Sequence, residues 1–177
     1  MKPKTISTKM IRQGRIFDLL SATIREGENE YERDIIVHGG SAVIVPVFED
    51  LTIGFVRQYR HAAEKFLLEL PAGTLEAGET AEASAFREVE EEIGYKAAKI
   101  KKLTEFYVSP GFLTEKMHVF LATDLTRTEQ NLDDDEILSV ERISFQDALN
   151  MIANGEIEDA KTMLGLIFAK KQLNIDP

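Results

Sequence analysis

Two kinds of hydrophobic patterning succeed one another along the chain, one repeating every second residue and one with helical period, and their order sets out its organisation. Residues 15–26 and 31–37 alternate apolar and polar side chains with Gly27, Glu28 and Asn29 between them, which predicts a β-hairpin within an N-terminal arm at 1–40. SAVIVPVF at 41–48 and LTIGFVRQ at 51–58 are rich in strand-forming residues and are separated by Glu49-Asp50. They predict a second hairpin with a buried first strand, opening a main domain at 41–177. A helical stripe follows: at about 100° per residue, Ala81, Ala85, Phe86, Val89 and Ile93 fall on one face. Strands are expected around 100–108 and at 115–123, with Ser109-Pro110-Gly111 turning between them. Two helices should close the chain. Ser144, with Asp147 three residues on, caps the first of them, and Ile157 to Leu173 carries helical periodicity ending in basic residues. Strands mixed with helices on this scale suit an α/β/α sandwich.

The central helix is costly as a sequence. From Glu79 to Glu92 there are six glutamates and one basic residue, Arg87. Like charges one helical turn apart destabilise a bare helix by ~0.2–0.5 kcal/mol per pair, so something should offset the repulsion. Glu88 and Glu92 fall on the edge of the apolar stripe and Glu91 just beyond it, so these carboxylates border the core. A half-buried carboxylate cluster needs protons, basic partners or cations. Arg87 can pair with Glu91 at i,i+4, and hard cations such as Mg²⁺, held by a few carboxylate oxygens, water and substrate phosphate, fit the remainder best.

The run from Gly73 to Tyr95 resembles the Nudix box, G-x5-E-x7-R-E-U-x-E-E-x-G-U with U aliphatic. Gly73, Glu79, Arg87, Glu88, Val89, Glu91, Glu92 and Gly94 stand at the required spacing, and Tyr95 departs from it in the last aliphatic slot. An ordinary acidic surface helix is the plain alternative, and eight fixed positions speak against it. Val56-Arg57-Gln58-Tyr59-Arg60, Glu69-Leu70-Pro71-Ala72-Gly73 and Ser109-Pro110-Gly111, with Pro110 fifteen positions beyond Tyr95, resemble the ADP-ribose pyrophosphatase branch of that family. A Pro-Gly turn is also ordinary loop chemistry, so this second tier is less specific than the box.

The resemblance implies an α/β/α sandwich with a mixed sheet and an N-terminal β-hairpin arm. It also implies Mg²⁺, with Mn²⁺ as an alternative, held by Glu88 and Glu92 and by the backbone carbonyl of Ala72, with Glu91 sharing ligation or ordering the site. The activity implied is hydrolysis of ADP-ribose, or a related nucleoside diphosphate joined to a second group, to AMP and ribose 5-phosphate by water attack on phosphorus. Arg87 belongs with the catalytic carboxylates. Arg60 is expected to reach the diphosphate, where a planar guanidinium suits phosphate, and otherwise is a surface arginine at a strand end. Pro110 and Gly111 are expected near the substrate. For the general base, the acidic run Asp133 to Glu136 matches a loop bearing a catalytic glutamate in similar enzymes. Counting back from Ser144 leaves Asp134 and Glu136, of which only Glu136 is a glutamate; the plain reading is solvated surface. The arm is expected to join a homodimer and to contribute Phe17, which could stack on adenine, and Arg33, which could face phosphate or ribose. Their plain readings are a core phenylalanine and an exposed strand residue.

Composition narrows the partners. Residues Lys and Arg number 21 against 31 Asp and Glu, a net charge of -10, which argues against nucleic acid and anionic membrane as partners. Cysteine is absent, so disulfides and thiolate metal sites are excluded. The opening MKPKTISTKM lacks an apolar signal core, and a cytoplasmic protein of one main domain is expected. The three histidines, His38, His61 and His118, share no ligand spacing. Two other readings stand beside ADP-ribose hydrolysis: a pyrophosphatase for another sugar nucleotide or dinucleotide, and a noncatalytic nucleotide-sensing module, which would be expected to have lost the box carboxylates.

Overall fold

A computed structural model describes residues 2–132 and 136–175 and divides the chain into two compact units. The first consists of the arm up to Gly40 together with Phe106–Met117; the second comprises Ser41–Glu105 and the chain from His118 onward.

The arm is a three-stranded antiparallel sheet in the order β1 (Lys4–Gln13), β2 (Phe17–Glu26), β3 (Asn29–His38). Glu26 pairs with Asn29, so the β2–β3 turn is the two residues Gly27-Glu28, one shorter than expected. Strand β1 was not legible in the sequence for a physical reason. Its apolar residues Ile6, Met10 and Ile11 do not alternate with polar ones at every second position, and its register with β2 shifts twice, between Thr5 and Ser7 and between Met10 and Arg12. Within the same unit, β3 is stitched to the loop around Pro110. Ile36 N donates to Phe112 O at 2.7 Å, Thr114 N to Ile36 O at 2.9 Å and His38 N to Thr114 Oγ1 at 2.9 Å.

The other described strands, which lie in the second unit except for Phe106–Tyr107 and Lys116–Met117 at the ends of two of them, form two sheets. One has the order β7 (Ala72–Thr74), β4 (Ser41–Pro46), β9 (Lys116–Arg127), β8 (Tyr95–Tyr107). The other has the order β10 (Leu138–Ser144), β5 (Thr52–Arg60), β6 (Lys65–Glu69). The expected hairpin of 41–48 with 51–58 is therefore corrected: β4 and β5 lie in different sheets, and only past the end of β4 does the chain pair with β5, at an isolated bridge from Val47 to Ile53. Every residue of β4 is buried, and such a strand takes neighbours on both edges. The tight turn at Phe48–Leu51, with Leu51 N donating to Phe48 O at 3.0 Å, passes the chain from one sheet to the other.

Helices α1 (Ala81–Ile93) and α3 (Ala160–Leu173) cover the two faces of the β4 sheet. Ala85, Val89 and Ile93 of α1 pack with Ala42 and Ile44 of β4 and Phe120 and Ala122 of β9. On the opposite side, the alternate residues Val45 and Val119 lie close to Gly165 of α3, where a Cβ would come within 3.3 Å and 3.7 Å of them. This is the expected α/β/α sandwich. Helix α2 (Phe145–Ala153) starts at Ser144 as read from the sequence, its Oγ accepting from Asp147 N at 3.1 Å. Helix α3 begins three residues later than expected, because Asp159 caps it: its carboxylate accepts from Thr162 N at 3.0 Å. Among the described residues no helix is long and apolar enough to cross a membrane.

Candidate active site

Helix α1 is held at both ends. Thr80 caps it, accepting from Ala83 N at 3.2 Å, and Gly94 ends it in the left-handed region at φ 69°, where a side chain would be strained. Between these ends the core-facing stripe is Ser84, Ala85, Glu88, Val89, Glu92 and Ile93. Phe86, expected on it, is instead exposed, and two glutamates are buried in its place. Glu88 lies directly under the backbone of β7: a Cβ on Gly73 would sit 1.7 Å from its Oε1, so a side chain there would push the carboxylate out of this place. Glu92 accepts from Ala72 N at 3.1 Å. Tyr95, the departure from the box pattern, makes an edge-to-face contact with Phe48 at 4.9 Å and packs against the core.

Arg87 organises the carboxylates. Its Nη1 donates to Glu88 Oε1 at 2.7 Å and to Glu91 Oε2 at 2.8 Å, while Nε and Nη2 grip the two oxygens of Glu79 at 3.1 Å each. The pairing of Arg87 with Glu91 is the one expected, and Glu79 and Glu88 add to it. The Arg87 hydrogen bond holds the Glu79 carboxyl below its ordinary range, and three carboxylates together raise the Arg87 guanidinium.

Glu88 and Glu92 remain under-compensated. Burial, opposed by Arg87 and reinforced by the charges of Glu91 and Glu136, pushes Glu88 up to about 7. Burial, with the charges of Glu88 and Glu136, pushes Glu92 up to about 8 against the opposing pull of the Ala72 N–H and of Lys161. Among the described residues no group of three or more His, Asp or Glu side chains forms a ready-made metal cage. The donor set nevertheless suits a hard divalent cation. Mg²⁺ is commonly taken by one or two carboxylates plus water and substrate phosphate, and here two buried carboxylates act on one another, Glu88 with part of the Arg87 guanidinium and Glu92 with the Ala72 N–H.

A second cluster borders Glu92. Arg60, at the end of β5, donates from Nε and Nη2 to the two oxygens of Glu69 at 2.8 Å and 2.7 Å. Glu69 is buried, and Lys161 of α3 also donates to its Oε2. Burial works to raise Glu69, but the hydrogen bonds and charges of Arg60 and Lys161 outweigh it and hold the carboxyl low. The Glu69 hydrogen bond raises Arg60, with a smaller contribution from the charge of Glu92. Lys161 escaped the sequence reading. A signal was there: a lysine in the first turn opposes the helix dipole, so its presence asks for an acidic partner.

Of the residues singled out from the sequence, Arg60, Ala72, Arg87, Glu88, Glu91, Glu92 and Glu136 all belong to the second unit. Glu136 is half-buried, and its charge acts on both Glu88 and Glu92. Asp133, Asp134 and Asp135, the rest of the acidic run, lie outside the described residues. Phe17, Arg33, Pro110 and Gly111 belong to the first unit. There Phe17 is 48% exposed and, with Gly14, Ile16, Val37 and His38, lines a cavity of about 310 Å³. Arg33 stacks on the Tyr31 ring at 4.4 Å, and Pro110 and Gly111 form an exposed turn closed by Phe112 N donating to Ser109 O at 3.2 Å.

The NUDIX domain model matches residues 38–165, most of the chain. The chain belongs to the NUDIX domain family. An ADP-ribose pyrophosphatase of Bacillus subtilis (strain 168) is 39% identical over 92% of this chain and 89% of its own length. A methanol dehydrogenase activator of Bacillus methanolicus is 34% identical over 96% of this chain and 93% of its own. The solved structure of an ADP compounds hydrolase superposes with a TM-score of 0.86 over 98% of this NUDIX chain and 95% of that one, at 20% identity, so the likeness is one of fold.

Proposed function

We propose that this NUDIX protein is a Mg²⁺-dependent hydrolase that splits the diphosphate linkage of ADP-ribose into AMP and ribose 5-phosphate. The observation that carries the reading is the pair of buried carboxylates, Glu88 and Glu92, which have between them only a share of the Arg87 guanidinium and stand near Arg60, whose Nη1 is not engaged by Glu69. The Bacillus subtilis relative named ADP-ribose pyrophosphatase suggests the substrate.

Glu88 and Glu92, with the backbone carbonyl of Ala72, would hold the metal, with Mg²⁺ preferred and Mn²⁺ an acceptable substitute. Bound there, a divalent ion would supply charge neutralisation for phosphate and acidify a water. Arg87 keeps Glu88 and Glu91 in place through Nη1 and anchors itself on Glu79. Arg60 uses two of its five N–H groups on Glu69, which leaves its Nη1 edge to receive a diphosphate oxygen. Glu136 takes the proton from the attacking water: among the loop acids it is the described one whose charge reaches the metal-binding carboxylates. Through a homodimer, the arm lends the partner's site Phe17, to stack on adenine, and Arg33, to face phosphate or ribose, while Pro110 and Gly111 are the remaining substrate contacts. The arm, residues 1–40 ahead of the NUDIX domain at 41–177, joins a homodimer, and a cytoplasmic setting with neither nucleic acid nor membrane as partner agrees with the acidic charge.

Product analysis decides among the readings. Purified protein is incubated with ADP-ribose, other sugar nucleotides and dinucleotides, with and without Mg²⁺. AMP and ribose 5-phosphate from ADP-ribose, in the metal-containing samples alone, is the expected outcome. Preference for another member of the panel moves the assignment to that substrate, and binding without turnover moves it to a sensor.

A further inference from the structure

Lys161 is almost wholly buried at 8% exposure, an unusual place for a lysine, and no box position accounts for it. Its ammonium donates to Glu69 Oε2 and lies 3.1 Å from Asp159 Oδ2. Glu69, at 1% exposure, gives both oxygens to Arg60 and shares one of them with Lys161. The next residue is gripped by the same turn of α3: Leu70 N donates to Thr162 Oγ1 at 2.8 Å, and Thr162 Oγ1 donates to Asp159 Oδ2 at 2.6 Å. The first turn of α3 thereby fixes the side chain of Glu69 and the backbone of Leu70, two residues ahead of Ala72.

We propose that Lys161 is a positioning residue for diphosphate binding, acting through Glu69 to hold the Arg60 guanidinium with its free edge toward the ligand. The inference rests on the diphosphate reading of the site. Two arguments support it. Arg60 is 41% exposed on its side chain and would otherwise sample many rotamers; a carboxylate locked from behind by a second cation gives it one seat. Charge is the other. With Lys161 in place, Arg60 and Lys161 balance Glu69 and Asp159. Without it, two carboxylates face one guanidinium beside Glu92, and an anionic ligand meets a net negative cluster.

The test is equilibrium binding of ADP, with Mg²⁺ present, to the full chain and its variants by titration calorimetry. Lys161→Met keeps the apolar stem and removes the ammonium, and should weaken ADP binding about tenfold, the scale of a charged hydrogen bond lost. In an Arg60→Lys background the same change should cost no more than about twofold, because the route through Arg60 is already broken. In ADP-ribose hydrolysis the loss should appear in KM with kcat changed little. Thermal melts establish that each variant is folded, and Lys161→Gln, one bond shorter, uncharged and still polar at its end, takes over the comparison if the methionine variant does not fold. Unchanged ADP binding in the folded variant, or a loss that adds in full to that of Arg60→Lys, overturns the proposal. Wild-type protein that binds ADP without hydrolysing ADP-ribose removes the hydrolase reading alone; wild-type protein that fails to bind ADP removes both.

Discussion

At the residue scale, the chemistry is concentrated in side chains whose preferred protonation conflicts with their burial. Glu92 is buried, and its pKa rises from 4.5 to about 8. A carboxyl raised on folding favours the native state while protonated, and that advantage is lost as pH climbs through the folded value. The metal-free protein should therefore lose stability between about pH 4.5 and 8, by on the order of a few kcal/mol. Added Mg²⁺ should raise the melting temperature most at the alkaline end, where protons no longer compete; thermal melts across pH with and without the ion check this. Glu92→Gln should flatten the metal-free pH profile and keep the fold, while turnover falls on the order of a thousandfold. A near-normal rate in that variant would end the metal role assigned to it. The spacing of the box made Glu88, Glu92 and Arg87 legible from the sequence because all three lie on one helix. Glu69 and Lys161, 92 positions apart, meet only through the tertiary fold, and no local pattern brings them together.

At the scale of elements, legibility followed amphipathicity. The periodic apolar face of helix α1 and the Ser144 start of α2 are local signals and match the structure, except that Phe86 lies off the buried stripe of α1. The short strands β6, β7 and β10 were not foreseen: β7 has three residues, too few for a period to show, and β6 buries only its last two. Strand pairing is a property of partners, so a two-residue turn signal at Glu49-Asp50 could not reveal that β4 and β5 part into different sheets. The caps themselves can be tested. Thr80 supplies the side-chain acceptor at the start of α1, and Thr80→Ala should lower unfolding free energy by about 1 kcal/mol in denaturant titrations. Because the cap is three residues from Ala83 and well ahead of Glu88, turnover should survive the change.

At the scale of the whole molecule, the arm is the part that asks for another surface. Ile6, Met10 and Ile11 of β1 are each about half exposed, as is Phe17 of β2. Apolar exposure along a single strand is expected to find a partner, and a second copy of the chain is the partner proposed here. Sedimentation should give a dimer for the wild-type chain, and Ile11→Asp should shift it toward monomer. A monomeric wild type would return the arm to an intramolecular role. Fold class and motif chemistry were legible at this scale because a long motif and a buried central strand leave few alternatives. Assembly was expected from resemblance alone.

Arg87 holds three carboxylates at once, so much of the acidic ridge has a resident counter-charge even before any ion arrives. Chelator treatment should therefore silence the protein without unravelling it. Preparations stripped with EDTA should stay intact in storage and revive when the salt is returned.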